Sequence, residues 1–227
     1  LLGWLTAPIL FFVFWLLTRS PLLGALFSSL YVFDNALIVH LRGAMLEGPL
    51  IFFVALTVLF FLLLFRHQEF PQHFLTCSLW FGIAFALVMT TKLLGLILVL
   101  LFPALLVALY PDWGKIRRFL AIAGTGFTIT YISIWQVHFA LGSTINPVLP
   151  DQGFYQASEE HKQILASRRN TSLLAFPVLL RDSWKFVTHY NRGTPRLNLC
   201  KSEENGSPFY FWPFGARTIS YRWETPD

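Results

Sequence analysis

Residues 48–65 read GPLIFFVALTVLFFLLLF, an unbroken run of 18 uncharged and mostly apolar residues. A helix of about 18 to 20 residues crosses a hydrocarbon core of ~30 Å, so this run predicts a membrane-spanning helix. The whole chain of 227 residues has the same character, with 55% apolar and 13% charged residues. A soluble domain of this length could not bury so much apolar surface, so the composition excludes a soluble globular enzyme.

Further apolar stretches lie on both sides of this run and predict about six membrane segments in all. They are residues 1–18, 22–41, 70–91, 93–110 and 119–140. Asp34 interrupts the second segment, and Lys92 alone separates residues 70–91 from residues 93–110. The sequence therefore predicts an all-α polytopic membrane protein, with a transmembrane region at 1–140 and an extracytoplasmic loop region at 141–227.

Basic residues follow the first, third and fifth predicted segments, which places them in alternate loops. They are Arg19, Arg66, Lys115, Arg117 and Arg118. The positive-inside rule assigns such loops to the cytoplasm. Residues 42–47, Lys92 and everything after about residue 141 are then expected on the extracytoplasmic side.

The loop region contains a helix candidate and an aromatic-rich segment. Residues 172–190 read SLLAFPVLLRDSWKFVTHY, in which charged residues follow an apolar part. This pattern predicts a helix lying at the membrane surface or, equally well, a core helix of a small domain. Residues 207–223 read SPFYFWPFGARTISYRW, and such aromatic density is typical of a membrane interface or of a sugar- or lipid-binding surface. Residues 141–227 hold ten Lys/Arg and eight Asp/Glu, so no nucleic-acid partner is expected.

Five polar residues lie around the end of the second segment. They are Asp34, Asn35, His40, Arg42 and Glu47. Charges in a membrane are costly and usually face a cavity or a partner. One interpretation is a polar site in which the guanidinium of Arg42 binds an anion such as phosphate. The alternative is an Arg42–Glu47 pair at a helix end, with Asp34 capped or paired locally.

Lys92 lies between two long apolar runs, in the sequence TTKLLG of residues 90–95. If both runs span the membrane, the chain turns back near Lys92 and places its ammonium on the same side as Arg42. One interpretation is a second phosphate contact, and the other is an interfacial lysine that anchors a tight turn.

Several kinds of site are not indicated by the sequence. Cys77 and Cys200 are far apart, and there is no HExxH, P-loop, GxGxxG or GxSxG motif. We therefore expect neither a metal nor a cofactor.

Residues 33–47, FDNALIVHLRGAMLE, resemble a segment of the protein O-mannosyltransferases. That family carries an Asp-Asn pair, then an Arg, then a Leu-Leu-Asp-like start to the next helix, and here Glu47 stands where Asp is more usual. Residues 82–95 look like the family's Gly-rich helix that ends in Lys-aromatic-x-Gly, with Leu93 replacing the aromatic residue. Residues 207–213, with Arg217 and Tyr221, are similar to its Ser-x-x-x-x-Trp-Pro segment.

The chain departs from the family pattern in two places. The His-Pro-Tyr that usually precedes the Ser-x-x-x-x-Trp-Pro segment is absent, since residues 201–206 read KSEENG. The family's acidic catalytic residues lie in a loop after its first helix, and no such pair precedes Arg19. We therefore expect that the chain is a fragment lacking both ends, that the general base lies upstream of Leu1, and that the fragment alone is inactive.

The resemblance implies a C-type glycosyltransferase fold and the transfer of mannose from a polyprenyl-phosphate carrier to Ser or Thr hydroxyls of translocated proteins. By the same resemblance, the partners are this lipid-linked sugar, an acceptor protein and membrane lipid. Arg42 and Lys92 would bind the donor phosphate, with Asp34, Asn35 and Glu47 as supporting polar groups. Acceptor or sugar contacts would come from Ser207, Trp212, Arg217 and Tyr221. We expect the bacterial inner membrane rather than the endoplasmic reticulum, with an extracytoplasmic active face.

Other functions remain open at this point. A relative that glycosylates lipid A or another glycan would share the same architecture. A transporter or flippase could line its path with Asp34, Arg42 and Lys92, although no internal repeat is visible. A membrane scaffold without catalytic activity would tolerate loss of both cations.

Overall fold

The computed structural model of the chain describes residues 2–34, 46–142 and 157–193. Within these ranges the regular structure is helical, without strands. The chain divides into two compact units, Leu1–Ser143 and Thr144–Asp227.

The described part of the first unit consists of apolar helices. They are α1 (Leu2–Thr18), α2 (Pro21–Phe33), α3 (Glu47–Arg66), α4 (Pro71–Thr91), a 3₁₀ helix (Leu93–Leu100) that continues as α5 (Leu101–Leu109), and α6 (Trp113–Leu141). By length and composition, α3, α4 and α6 can each cross a membrane, and the other segments are shorter apolar helices. This architecture confirms the predicted all-α polytopic membrane fold.

Prolines and capping side chains determine where several helices begin. Pro21 and Pro71 occupy the first turn of α2 and α4, where a missing N–H costs nothing. The hydroxyl of Ser20 accepts a hydrogen bond from the Leu23 N–H at 3.4 Å and caps α2. The starts of α2 and α4 are therefore encoded by residues that stand directly at them.

The last helix of the unit begins earlier than the predicted residue 119. Asp112 precedes it, and the carboxylate accepts a hydrogen bond from the Lys115 N–H at 2.9 Å. This cap allows α6 to start at Trp113, so Arg117 and Arg118 lie on its first turns and not in a loop. Its 29 residues extend about 43 Å, which lets the basic turns reach beyond a hydrocarbon core of ~30 Å.

The predicted segment 93–110 is a composite of two helix types. Its first eight residues form the 3₁₀ helix and the next nine form α5. A 3₁₀ helix rises about 2 Å per residue and an α-helix about 1.5 Å, so the segment extends about 30 Å. It therefore reaches the thickness of a hydrocarbon core (~30 Å) with fewer residues than an ordinary α-helix needs.

Small residues bring α4 and α6 into backbone contact. A Cβ added at Gly82 would overlap the carbonyl oxygen of Ala123 on α6. A Cβ at Gly126 would lie 2.8 Å from the carbonyl oxygen of Leu79 on α4. Membrane helices associate through such close van der Waals packing, because lipid removes most of the hydrophobic drive between them.

Phenylalanines fill the space around this contact. Phe81 and Phe119 are almost completely buried, and their ring centroids lie 5.7 Å apart. Phe102 of α5 packs edge-on against Phe81 at 5.6 Å. These tilted arrangements are the favourable geometries for aromatic pairs, so they fix how α5 lies against α4 and α6.

Two ion pairs mark opposite ends of this helix bundle. The Nζ of Lys115, at the start of α6, lies 3.9 Å from Glu69 Oε1 in the turn between α3 and α4. The Nζ of Lys92, after α4, lies 3.0 Å from Glu47 Oε1 at the start of α3. The basic residues that follow the third and fifth segments are therefore at one end, and Lys92 is at the other.

The described part of the second unit contains α7 (Glu159–Ala166) and α8 (Phe176–Gly193). The hydroxyl of Ser158 accepts a hydrogen bond from the His161 N–H at 3.3 Å and caps α7. Ala175, Leu179 and Asp182 are buried. The helix predicted within residues 172–190 thus begins at Phe176, after a turn.

Candidate functional site

Lys92 and Glu47 form the charged pair at the end of the bundle where α4 stops and α3 begins. Their Nζ and Oε1 atoms are 3.0 Å apart, although 45 positions separate the residues in the sequence. Glu47 is in the first turn of α3, where the helix dipole favours a negative charge. The structure therefore brings together two of the residues that the sequence assigned to a polar site.

The backbone at Lys92 connects two helices of different type. Its φ of −157° and ψ of 135° are extended, which ends α4. Its N–H donates to the Val88 carbonyl at 3.0 Å, and its own carbonyl accepts from the Gly95 N–H at 3.0 Å. Because both backbone groups are bonded to neighbouring turns, the Cα of Lys92 has a fixed position from which the ammonium extends.

Gly95 is required for this turn. A Cβ at Gly95 would overlap the Cγ1 of Val88, a residue that is completely buried. Valine in a helix has one strongly preferred rotamer, so its methyl group cannot move aside at low cost. The absence of a side chain at residue 95 thus lets the 3₁₀ helix start directly against α4.

The Lys92–Glu47 pair is accessible. The side chains are 46% and 34% exposed, and an ion pair at such a site contributes at most about 1 kcal/mol to stability. An ammonium group has three N–H donors, so an additional anionic acceptor can bind beside Glu47. The pair is therefore suited to contact a ligand more than to hold the fold together.

Asp34 ends α2 as its C-terminal cap and is exposed. The hydroxyl of Tyr31, one turn earlier, donates to the Gly3 carbonyl at 2.8 Å and fastens α2 against α1. Some predicted site residues lie outside the described residues, and their roles stay predictions. They are Asn35, Arg42, Ser207, Trp212, Arg217 and Tyr221.

A polar cluster in the second unit was not predicted from the sequence. The carboxylate of Asp182 on α8 accepts hydrogen bonds from the Ser158 N–H at 2.9 Å and from the Ser158 hydroxyl at 2.6 Å. Arg181 Nε lies 3.3 Å from its other oxygen, and His161 Nδ1 lies 3.5 Å from Oδ2. Asp182 therefore ties the start of α7 to α8. Ser158 before an acidic helix turn was the available sequence signal, since it predicts a cap.

The environment of this cluster shifts two pKa values. Burial raises the pKa of Asp182, but the hydrogen bonds from Ser158 and the charge of Arg181 outweigh burial and hold it below its usual value. Burial lowers the pKa of His161, and the nearby carboxylate of Asp182 only partly opposes this effect. At neutral pH the cluster therefore holds an ionised aspartate and a neutral histidine.

The described residues contain no group of three or more His, Cys, Asp and Glu side chains that could hold a metal ion.

Comparison with known proteins identifies one family. The family model for dolichyl-phosphate-mannose-protein mannosyltransferases matches residues 1–165 of the 227. The match includes Asp34, Glu47 and Lys92 and ends before residues 207–221. No curated protein and no solved structure matches the chain. Because the matched residues make up well over half of the sequence, the chain belongs to the dolichyl-phosphate-mannose-protein mannosyltransferase family.

Proposed function

We propose that this chain forms the donor-phosphate side of a membrane enzyme that moves mannose from a polyprenyl-phosphate carrier to Ser or Thr hydroxyls of translocated proteins. The observation that carries the proposal is the accessible Lys92–Glu47 pair at a rigid helix turn within the family-matched residues. Family membership supports protein mannosylation, whereas the carrier and the acceptor residues are inferred from the sequence resemblance.

The proposed chemistry is the displacement of a lipid phosphate by a hydroxyl at the anomeric carbon of mannose, with inversion. The bond between this carbon and the phosphate oxygen breaks, and a bond to the acceptor oxygen forms. A general base takes the hydroxyl proton. The negative charge on the departing phosphate grows, so a cation beside it stabilises the transition state more than the bound donor.

Lys92 supplies such a cation, and Glu47 acts as a positioning residue that holds the ammonium. Because Glu47 neutralises much of that charge, the phosphate needs a second cation, for which we propose Arg42. Asp34 and Asn35 would support this polar site. Contacts to the acceptor or sugar would come from Ser207, Trp212, Arg217 and Tyr221, and the general base from an acidic residue upstream of Leu1.

The proposed location is a bacterial inner membrane, with the active face on the extracytoplasmic side. The distribution of basic residues supports this orientation, because Lys115 and Lys92 lie at opposite ends of the bundle. Translocated proteins would then meet the enzyme on the side where the Lys92–Glu47 pair lies.

Transfer of labelled mannose tests the proposal. The source gene would be expressed from its own start codon, and membranes would receive polyprenyl-phosphate-[³H]mannose and a Ser/Thr-rich peptide. Lys92→Met should lower kcat by about 100- to 1,000-fold, as expected for loss of one group that stabilises developing charge. Lys115→Met is the matched control, because its ammonium also pairs with a carboxylate but lies at the opposite end. It should retain nearly full activity.

Two results would contradict the proposal. Full activity of Lys92→Met would remove this residue from the donor site. Label that appears in lipid or glycan, and never in the peptide, would exclude a protein acceptor. The present chain, expressed alone, should transfer no mannose.

A further inference from the structure

Two neighbouring leucines of the second unit are exposed at the turn before α8. Leu173 is 71% exposed and Leu174 is 91% exposed. Adjacent apolar side chains at this level of exposure form a patch that water solvates poorly.

Hydrogen bonds fix the shape of this turn. The Ser172 N–H donates to the Arg169 carbonyl at 3.0 Å, and the Ala175 N–H donates to the Ser172 carbonyl at 3.1 Å. The Leu174 N–H also donates to the Ser172 hydroxyl at 3.3 Å. Ala175, the residue after the leucines, is buried. The two apolar side chains are therefore held outward by an ordered turn.

Exposed cations directly precede the leucines in the sequence. They are Arg168 and Arg169, just after the end of α7. Arg168 has a φ of 54°, a conformation that glycine adopts more easily at the end of a helix. The acidic residues Glu159 and Glu160 lie at the other end of α7. The leucine end is thus apolar and positively charged, which complements a surface of anionic headgroups over hydrocarbon.

The second unit follows α6 in the same chain. The chain from Gly142, at the end of α6, to Ala157 spans at most about 50 Å when fully extended. Helix α6 is long and apolar enough to cross a membrane. Covalent linkage to such a helix raises the effective concentration of the bilayer around the second unit, so even weak insertion is favoured.

We propose that the turn at residues 168–175 docks onto a lipid bilayer whose headgroups carry phosphate. Leu173 and Leu174 enter the region below the headgroups, and Arg168 and Arg169 contact the phosphates. This proposal goes beyond mannosyl transfer and does not depend on it, because it concerns only where the second unit binds.

Spin-label accessibility in nanodiscs tests the docking. Leu174→Cys would be introduced into the full chain, with Cys77→Ala and Cys200→Ser, and labelled with a nitroxide. Collisions with oxygen, which concentrates in lipid, and with a water-soluble nickel chelate would be compared. The matched control is Gln163→Cys, an exposed polar position on α7.

The label at residue 174 should collide with oxygen several-fold more often than the label at residue 163, and with nickel several-fold less. High nickel accessibility at residue 174 would show that the turn stays in water and would overturn the proposal. Low accessibility to both reagents would also overturn it, because another protein segment would then cover the leucines.

The charge requirement can be measured in the same samples. Nanodiscs of phosphatidylcholine alone would be compared with nanodiscs in which about a quarter of the lipid is phosphatidylglycerol. The label at residue 174 should lie deeper in the anionic nanodiscs. The double substitution Arg168→Ser and Arg169→Ser should abolish this difference. If the label lies equally deep in both kinds of nanodisc while both arginines are present, the role assigned to the arginines is contradicted.

Discussion

At the scale of single residues, Asp182 shows how a buried charge is stabilised in the second unit. Its side chain is only 2% exposed, yet hydrogen bonds from Ser158 and the nearby Arg181 favour its ionised form. Removal of one partner from such a group costs about 1 to 3 kcal/mol, because the carboxylate is left without its hydrogen bonds. Asp182 therefore connects α7 to α8 more specifically than apolar contact alone would.

The same cluster predicts that acid weakens the second unit. The pKa of His161 is lower in the folded state than its ordinary value of about 6.5, so the unfolded state binds a proton first as the pH falls. The contribution of neutral His161 is present above about pH 6.5 and is lost as the pH falls through the folded pKa.

Hydrogen exchange by mass spectrometry would measure this effect as the protection of α7 and α8 amides at about pH 7.5 and about pH 5. Protection should fall in acid for the unaltered chain, after correction for the intrinsic exchange rate. His161→Asn should lose most of this pH dependence, and peptides from α4 serve as an internal control. Equal pH dependence in both proteins would assign the effect to another group.

At the scale of helices, the contact between α4 and α6 depends on the absence of a side chain at Gly82. Gly82→Ala should lower the stability of the detergent-solubilised protein by about 1 to 3 kcal/mol, because the new methyl group overlaps the Ala123 carbonyl. Gly124→Ala is the matched control on α6, where an added Cβ meets no atom within 4 Å. The control should be neutral or slightly stabilising, since alanine favours a helix by about 0.5 to 1 kcal/mol. Thermal unfolding followed by size-exclusion chromatography would compare them, and equal Tm values would argue against the close contact.

The turn at Lys92 makes a related prediction about function. Gly95→Ala should displace the 3₁₀ helix from Val88 and move the Lys92 ammonium, which should reduce mannosyl transfer by about tenfold or more. Val88→Ala removes the methyl group that the new side chain would meet. The double variant should therefore recover activity relative to Gly95→Ala, and the transfer assay would measure the coupling. Additive losses would mean that the two residues act independently.

The helices differ in how far the sequence determines them. The ends of α3 and α4 lie close to the ends of the uncharged runs that predicted them. Length alone suffices here, because a helix that faces lipid needs no regular alternation of polar and apolar residues. The early start of α6 depends on one capping interaction between Asp112 and the backbone of Lys115. The 3₁₀ form of residues 93–100 was not predictable from Leu, Ile and Val, which do not distinguish it from an α-helix. In the fold, Gly95 of this segment packs directly against Val88.

The candidate site was predicted only in part for a similar reason. The sequence identified Lys92 and Glu47 as polar residues at one face, because charges are rare in apolar segments. Their pairing required tertiary contact between α3 and α4, and no local rule links residues 45 positions apart. The Asp182 cluster was missed because its members are ordinary polar residues until the turn between α7 and α8 brings them together.

At the scale of the whole molecule, the first unit is a bundle with chemically different ends. We predict that Glu69 and Leu46 face opposite sides of the membrane, because Glu69 neighbours Lys115 and Leu46 precedes the Lys92–Glu47 pair. Single cysteines at these positions, which are both exposed, would be treated in intact cells with a membrane-impermeant maleimide.

Leu46→Cys should react in intact cells, and Glu69→Cys should react only after permeabilisation. The opposite pattern would invert the proposed orientation and place the Lys92–Glu47 pair in the cytoplasm. Reaction of both cysteines in intact cells would contradict the arrangement of α3 as a membrane-crossing helix.

The 3₁₀ helix after Lys92 has a further consequence for the outside of the bundle. With about three residues per turn, every third side chain lies directly above the last. Leu94, Ile97 and Leu100 are 66%, 64% and 71% exposed, and the row that contains Gly95 and Leu98 is buried. Leu94, Ile97 and Leu100 thus form a straight edge along the helix. In an α-helix, side chains three positions apart would instead be offset by about 60° around the helix axis. An inserted residue would rotate the rest of the 3₁₀ helix by about 120° and expose the row that contains Gly95 and Leu98. The length of this segment can therefore change only in steps of three residues.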